Sequence, residues 1–267
     1  MAFYGCQFTF DDIPCFEYGL MVYDIGSVAE DGEFTSAPSE ILEQRTARRY
    51  SPLYYGVTRN TPLEFTFTFG ADINSIESGR WLDRWEMDAI STWLTGKGGY
   101  RYLEIIQPDM DVIRYKCIIT NLTYTTNGKY PWAFSCTVTC DSPYAYLYPE
   151  HISQSITGSG TITISSRQAC EYYYPKMEIT LTSGNSITIV NESDNNRAFT
   201  MTGVTTLPVT ISVDNENEII TNTQGTNLYN TFNYNFLRLV RGDNILSVTA
   251  NSADISLVCE YPINVGG

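Results

Sequence analysis

The sequence predicts a mainly β protein of two domains, the first holding the chain's single helix. Three observations carry that reading. The segment Leu63-Glu64-Phe65-Thr66-Phe67-Thr68-Phe69 alternates four large apolar side chains with three polar ones, the period of a strand with one buried face. One strongly helical stretch follows, ending in Trp93-Leu94-Thr95-Gly96, and strands resume near Tyr100. Beyond about residue 156 tryptophan is absent and Thr, Asn and Ile become frequent, with apolar pairs alternating between turn signals. The aromatic share of 13% points the same way, because aromatic and β-branched side chains suit pleated, half-buried surfaces. At 267 residues the chain has room for two ordinary domains of roughly 100–200 residues each.

Along the first domain, placed at 1–148, strands are expected at 3–10 and 17–24. Residues 26–40 are acidic and polar, with Gly26, Gly32 and Pro38, and read as a loop. A strand around 41–49 carries Arg45, Arg48 and Arg49, and Tyr54-Tyr55-Gly56-Val57 leads toward the alternating strand. The helix is expected at about 78–95, with the Ser78 hydroxyl accepting from orphan N–H groups of its first turn. Leu82, Trp85, Ala89, Ile90 and Trp93 read as its apolar stripe, and Arg84 and Asp88, four apart, are spaced to pair. Gly96, Gly98 and Gly99 end it. Phe65, Phe67, Phe69, Trp85 and Trp93 are the expected core of this domain. Asn127-Gly128 predicts a hairpin turn into 131–140, where Trp132, Phe134, Cys136, Val138 and Cys140 alternate with small polar residues.

Residues 141–156 read as a linker, rich in tyrosine around Tyr148-Pro149. The second domain is placed at 149–267. Its alternating sets include Met177/Ile179/Leu181, Val209/Ile211/Val213, Leu246/Val248/Ala250 and Ile255/Leu257/Cys259. Short strands this regularly spaced predict a β-sandwich or jelly roll.

Net charge is -14, from 20 acidic against 11 basic groups in residues 1–150 and 10 against 5 in 151–267, so the acidity is no tail. A nucleic-acid binder needs a basic surface to neutralise phosphates, and this chain has no such stripe. Sequence-specific nucleic-acid partners are therefore not expected. No apolar run reaches membrane-spanning length, and the start Met-Ala-Phe-Tyr-Gly-Cys has no charged segment followed by an apolar one, so neither insertion nor secretion is expected. The seven scattered cysteines read as reduced, buried thiols.

Chemistry finds little support. His151 is the only histidine and falls in the linker, which leaves no Ser-His-Asp or Cys-His arrangement. Cys136 and Cys140 share a strand face but sit about 13 Å apart along it, too far to ligate one metal or bridge. Acidic pairs such as Asp83/Glu86 occur as often as 30 carboxylates make inevitable, and no phosphate-binding glycine loop is present. No enzyme, metal or cofactor is expected. Arg45, Arg48 and Arg49 stand out in an acidic chain, either as a solvated strand face or as a contact with an acidic surface of a neighbouring copy. Tyr172, Tyr174, Tyr229 and Tyr234, with Tyr173 and Phe232, read as core packing, as an assembly interface or as a platform for sugar rings.

The order of these pieces resembles the distal tail proteins (Dit) of long-tailed siphophages. The resemblance rests on Phe8-x-Phe10 with Gly19-Leu20, Tyr54-Tyr55-Gly56-Val57, the strand Leu63–Phe69, the helix ending in Trp93-Leu94, and the strands leading to Trp132–Cys140. It continues through Ile179–Ile189, Val209–Asp214, Gly225-x-Asn227-x-Tyr229 and Leu239-x-x-Gly242-x-Asn244, where Arg241 stands at a usual proline position.

The resemblance implies an N-terminal β-sandwich that assembles six copies into a ring, and a galectin-like or jelly-roll C-terminal β-sandwich. It implies a non-catalytic virion protein, made in the host cytoplasm and placed at the tail tip. Its partners would be its own copies, the tail-tube protein, the tail-tip or tail-associated lysin protein and, in some phages, a receptor-binding protein. The alternative reading is a carbohydrate- or receptor-binding module acting through the C-terminal sandwich.

Overall fold

The computed structural model describes residues 7–22, 39–71, 82–106, 113–127 and 130–264. Their contacts divide into two units, one running to Tyr146 and including Asn264, the other Leu147–Ile263. Chain order in the first is β1 (Gln7–Phe10), β2 (Ile13–Pro14), β3 (Leu20–Val22), β4 (Glu40–Gln44), β5 (Leu53–Thr58), β6 (Glu64–Ala71), α1 (Arg84–Thr95), β7 (Arg101–Ile106), β8 (Arg114–Asn127), β9 (Tyr130–Cys140) and β10 (Ala145–Tyr146). The main sheet is antiparallel, ordered β2-β1-β7-β8-β9-β6-β3, with β10 on β8.

That sheet curls over a core of rings. Phe8 of β1 and Phe69 of β6 lie at distant places in the strand order, yet their ring centroids are 5.1 Å apart. Phe134 stacks on Phe69 at 5.2 Å. Trp93 of α1 packs between Phe8 at 5.8 Å and Tyr18 at 4.6 Å, and its Nε1 donates to the Phe10 carbonyl at 3.1 Å. The indole N–H thus keeps a partner on burial, which a buried tryptophan needs.

Among the residues expected in this core, Phe69 and Trp93 are buried, while Phe65 is half-buried against Tyr115 at 5.0 Å. The Phe67 side chain lies outside the described residues. Trp85 corrects the expectation, being 83% exposed. At 100° per residue it sits roughly 140° around α1 from Ile90, away from the buried stripe of Ile90, Trp93 and Leu94.

The helix also starts later than expected. Ser78 and Trp81 lie outside the described residues, and Leu82 and Asp83 precede the first turn. Asp83 is the cap: its Oδ1 accepts from the N–H groups of Trp85 and Glu86 at 2.8 and 2.9 Å. Glu86 Oε2 returns the bond, accepting from Asp83 N at 2.9 Å, which completes a capping box.

The start of the expected strand 17–24 is taken by a 3₁₀ turn, Cys15–Tyr18, closed by Gly19 at φ 63, and β3 follows from Leu20. Residues 26–38 of the expected acidic loop, Cys6, and Gly128 of the expected hairpin turn lie outside the described residues.

The second unit holds β11 (Glu150–Ser166), β12 (Tyr172–Tyr173), β13 (Lys176–Asn191), β14 (Arg197–Thr202), β15 (Val209–Asp214), β16 (Ile219–Asn222), β17 (Leu239–Val240), β18 (Gly242–Cys259) and β19 (Pro262–Ile263). Its six-stranded sheet runs β11-β18-β13-β15-β16, with β14 also on β13. The three long strands serve two layers. β13 pairs with β15 through Lys176–Leu181 and with β14 through Ser186–Asn191. Register breaks between Leu181 and Ile187, and at Thr157/Gly158 in β11, mark the bend. Gly184 sits there at φ +84, where an added Cβ would lie 2.6 Å from Asn251. The layers enclose Ile179, Ile189, Phe199, Ile211, Leu246 and Leu257, the residues whose alternation predicts a sandwich.

The expected linker 141–156 is largely strand: β10 crosses it, and β11 begins at Glu150. Polar residues fill both faces of that stretch because β11 is an edge strand, partnered among the described residues by β18 alone.

Candidate functional site

Side chains capable of chemistry are dispersed. Among the described residues no group of three His, Cys, Asp or Glu is placed to hold a metal. His151 is exposed on β11. Cys136 lies opposite Phe67 in the sheet, whereas Cys140 is the register partner of Cys117, and both members of that pair are buried and unbridged. Burial is the main cause that pushes the Cys140 thiol up to about 12 and the Cys117 thiol higher still. Both stay protonated at neutral pH, which leaves them poor nucleophiles. No helix of the described residues is long and apolar enough to cross a membrane.

The feature that packing leaves unexplained is the β4–β5 hairpin. It forms its own two-stranded sheet, with every β4 residue exposed and no β5 residue buried. Ile41, Leu42, Tyr54, Tyr55 and Val57 all face solvent. Gly56, at φ 136, sits beside the register shift opposite Leu42/Glu43. Arg59 closes the base, its Nε donating to Ser39 Oγ at 2.9 Å and its Nη1 to Asn264 Oδ1.

The three arginines cluster at the other end. Arg45 follows β4 and pairs with Glu43 at 2.9 Å, while Arg48 and Arg49 lie in the turn beyond, Arg48 at φ 72. Tyr50, next to them, is fully exposed. The expected strand 41–49 therefore ends at Gln44, and its arginines belong to a loop tip rather than to a strand face. Ile-Leu before the tip and Tyr-Tyr after it were the available signal that this arm offers apolar surface.

On α1 the solvent face carries Trp85, Asp88, Ala89 and Thr92. Arg84 and Asp88 form no ion pair among the described residues. Beside this face Asp11 binds Lys97 at 2.6 Å and Arg101 at 3.3 Å.

In the second unit the four tyrosines separate into two places. Tyr229 and Tyr234 stack with centroids 6.4 Å apart, and Phe232 lies 5.8 Å from Tyr234, which is 63% exposed. Tyr229 is fixed from behind, its hydroxyl accepting from Ile220 N at 3.0 Å and donating to the Glu218 carbonyl at 3.1 Å. Tyr172 instead lies under the Arg238 guanidinium, 3.7 Å from ring centroid to Cζ. Arg238 grips the buried Asp194 through two bonds of 2.7 and 3.1 Å, and the Tyr174 hydroxyl also contributes to holding its charge. This second group is a buried carboxylate paired with a half-buried guanidinium under a ring, which sequence spacing alone does not show because 44 residues separate the partners.

A family model described as a phage tail protein N-terminal domain matches residues 3–142, and one described as a phage tail C-terminal domain matches 144–259. The chain belongs to this phage tail protein family. No curated protein matches the sequence. The crystal structure of the Dit protein (gp 19.1) of phage SPP1, titled a paradigm of the hub adsorption apparatus in Gram-positive-infecting phages, aligns with a TM-score of 0.65 at 10% identity, over 96% of this chain and 98% of that one. Two structures of the phage p2 baseplate in its activated conformation align less well. The strontium form gives a TM-score of 0.48 at 13% identity over 95% and 97% of the two chains, and the calcium form 0.44 at 11% over 83% and 86%. The phage tail protein thus shares the Dit fold across both of its domains.

Proposed function

We propose that this protein is a distal tail hub, a structural virion component that closes a ring of six copies and joins the tail tube to the tail-tip or tail-associated lysin protein. The single observation carrying this reading is the β4–β5 hairpin. It exposes Ile41, Leu42, Tyr54, Tyr55 and Val57 on a sheet of its own, and large exposed apolar surface marks an interaction site. A ring needs two complementary patches on each subunit rather than one self-complementary patch. The arginine tip, Arg45, Arg48 and Arg49, supplies one patch in a protein of net charge -14. That charge also suits a ring traversed by DNA, since acidic protomers repel phosphates. The fold shared with a hub protein and membership of the phage tail family support the same reading. The protein is made in the host cytoplasm, acts at the tail tip without catalysis, and has a receptor-binding protein as a further partner.

Native mass spectrometry of the full chain and of a variant with residues 41–57 replaced by a short Gly-Ser turn tests this. The intact chain is expected to populate a six-copy species, and the variant to stay monomeric with an unchanged circular dichroism spectrum. An intact chain that is monomeric at all concentrations contradicts the proposal.

A second reading is favoured by one observation. Tyr234 is exposed and stacked on an immobilised Tyr229, an arrangement able to take a pyranose face. Glycan-array binding by the full chain, abolished by Tyr234→Ala, would support a carbohydrate-binding role, and absence of any binding removes it.

A further inference from the structure

We infer that the hairpin tip of one copy, Arg48-Arg49-Tyr50, docks on the outer face of α1 of the next copy, with Trp85 and Asp88 as the receiving groups. This rests on the ring reading and adds which surface receives the arm.

The donor side is defined by what it lacks. Arg48 and Arg49 have no acidic partner among the described residues, Tyr50 is fully exposed, and of the strands behind them β4 is exposed throughout while β5 has no buried residue. Five paired residues extend about 15 Å, so the tip is carried clear of its base.

The acceptor side is an unpartnered helix face beside a groove. Trp85 is 83% exposed although α1 has a well-buried opposite face. Ala89 and Thr92 follow Trp85 at four and seven residues and so share its face. Beside them is an open groove of about 480 Å³, lined by Tyr18, Asp88, Ala89, Thr92, Gly96 and Lys97. Lys97 is held by Asp11 at 2.6 Å, while the exposed Asp88 carboxylate forms no ion pair among the described residues. An Arg guanidinium is the group that satisfies both an aromatic face and a carboxylate, stacking on the first and binding the second. The small side chains between them leave room for the Tyr50 ring.

A second copy is the occupant that the charges select. The arginine tip complements a face that offers an exposed indole and the Asp88 carboxylate; both are present on every copy, and they are different patches, as a head-to-tail ring requires.

The test places a photo-crosslinking phenylalanine derivative at Tyr50 in the full chain, mixes it with isotope-labelled wild-type chain, and maps the linked peptides by mass spectrometry. Links from the tip to the labelled 82–97 segment are expected. Assembly with links to a different surface of the neighbour overturns this inference and leaves the ring standing. No intermolecular link together with no assembly overturns both.

Charge reversal gives an independent arm. Arg48→Glu with Arg49→Glu should weaken self-association at least tenfold, and adding Asp88→Lys should restore part of it. Trp85→Ala should weaken it about 30-fold if the indole is an interface anchor. All four side chains are exposed, so the variants should keep the native circular dichroism spectrum. Unchanged association in both the reversed tip and Trp85→Ala overturns the inference.

Discussion

Asp83 decides where α1 begins, because one carboxylate satisfies two N–H groups that the helix cannot satisfy itself. Asp83→Ala should therefore cost about 1 kcal/mol, read as a lowered urea midpoint with an unchanged slope. The Asp194–Arg238 pair is a costlier loss. Asp194 is nearly fully buried beneath a guanidinium that Tyr172 covers. Asp194→Ala removes two charge-assisted hydrogen bonds from a part-exposed guanidinium, for which about 1.5–3 kcal/mol is expected. A change below 1 kcal/mol would show that Arg238 simply reaches solvent.

Two titrations have opposite signs. Asp214 accepts from Asn217 N and Nδ2, both at 3.0 Å, and these bonds hold its carboxyl below the usual range. A lowered folded value contributes stability above the ordinary carboxylate range and loses it as pH falls, so Asp214→Asn should flatten the acid limb of the stability curve. The buried thiols are raised by desolvation, so their contribution is complete below the ordinary thiol value and is lost as pH rises. Among the described cysteines, a thiol reagent at pH 8 should label half-buried Cys170 first and reach Cys15, Cys117, Cys136, Cys140 and Cys259 only on unfolding. Rapid labelling of those five in the native protein would contradict their burial.

At the scale of elements, strands with one buried face are legible because alternation and burial coincide, as from Phe134 to Cys140. Helix faces are less so. Trp85 is apolar and falls near the expected spacing, but a residue 140° off the stripe cannot reach the core, whatever its hydrophobicity. Edge strand β11 was hidden by its polar residues, and the hairpin's separate two-stranded sheet has no signature in composition. Gly184 illustrates how a bend is encoded. Gly184→Ala adds a Cβ at positive φ against Asn251, and a loss of more than about 1 kcal/mol is expected on thermal or urea unfolding.

At the scale of the whole molecule, the order of motifs across both domains carried the family, which no single motif specifies. The candidate assembly surface was only half legible. The arginines were visible as an oddity in an acidic chain, but their place on an exposed tip, opposite in character to the Trp85–Asp88 face, comes from three-dimensional placement alone. The surface offers an exposed β4–β5 hairpin with an arginine tip and, on α1, an exposed face carrying Trp85 and Asp88. Negative-stain imaging of the purified full-length protein tests that account most directly. Class averages showing rings of six subunits around a central opening are predicted. Uniform single particles the size of one chain, unchanged at the highest attainable concentration, would contradict it.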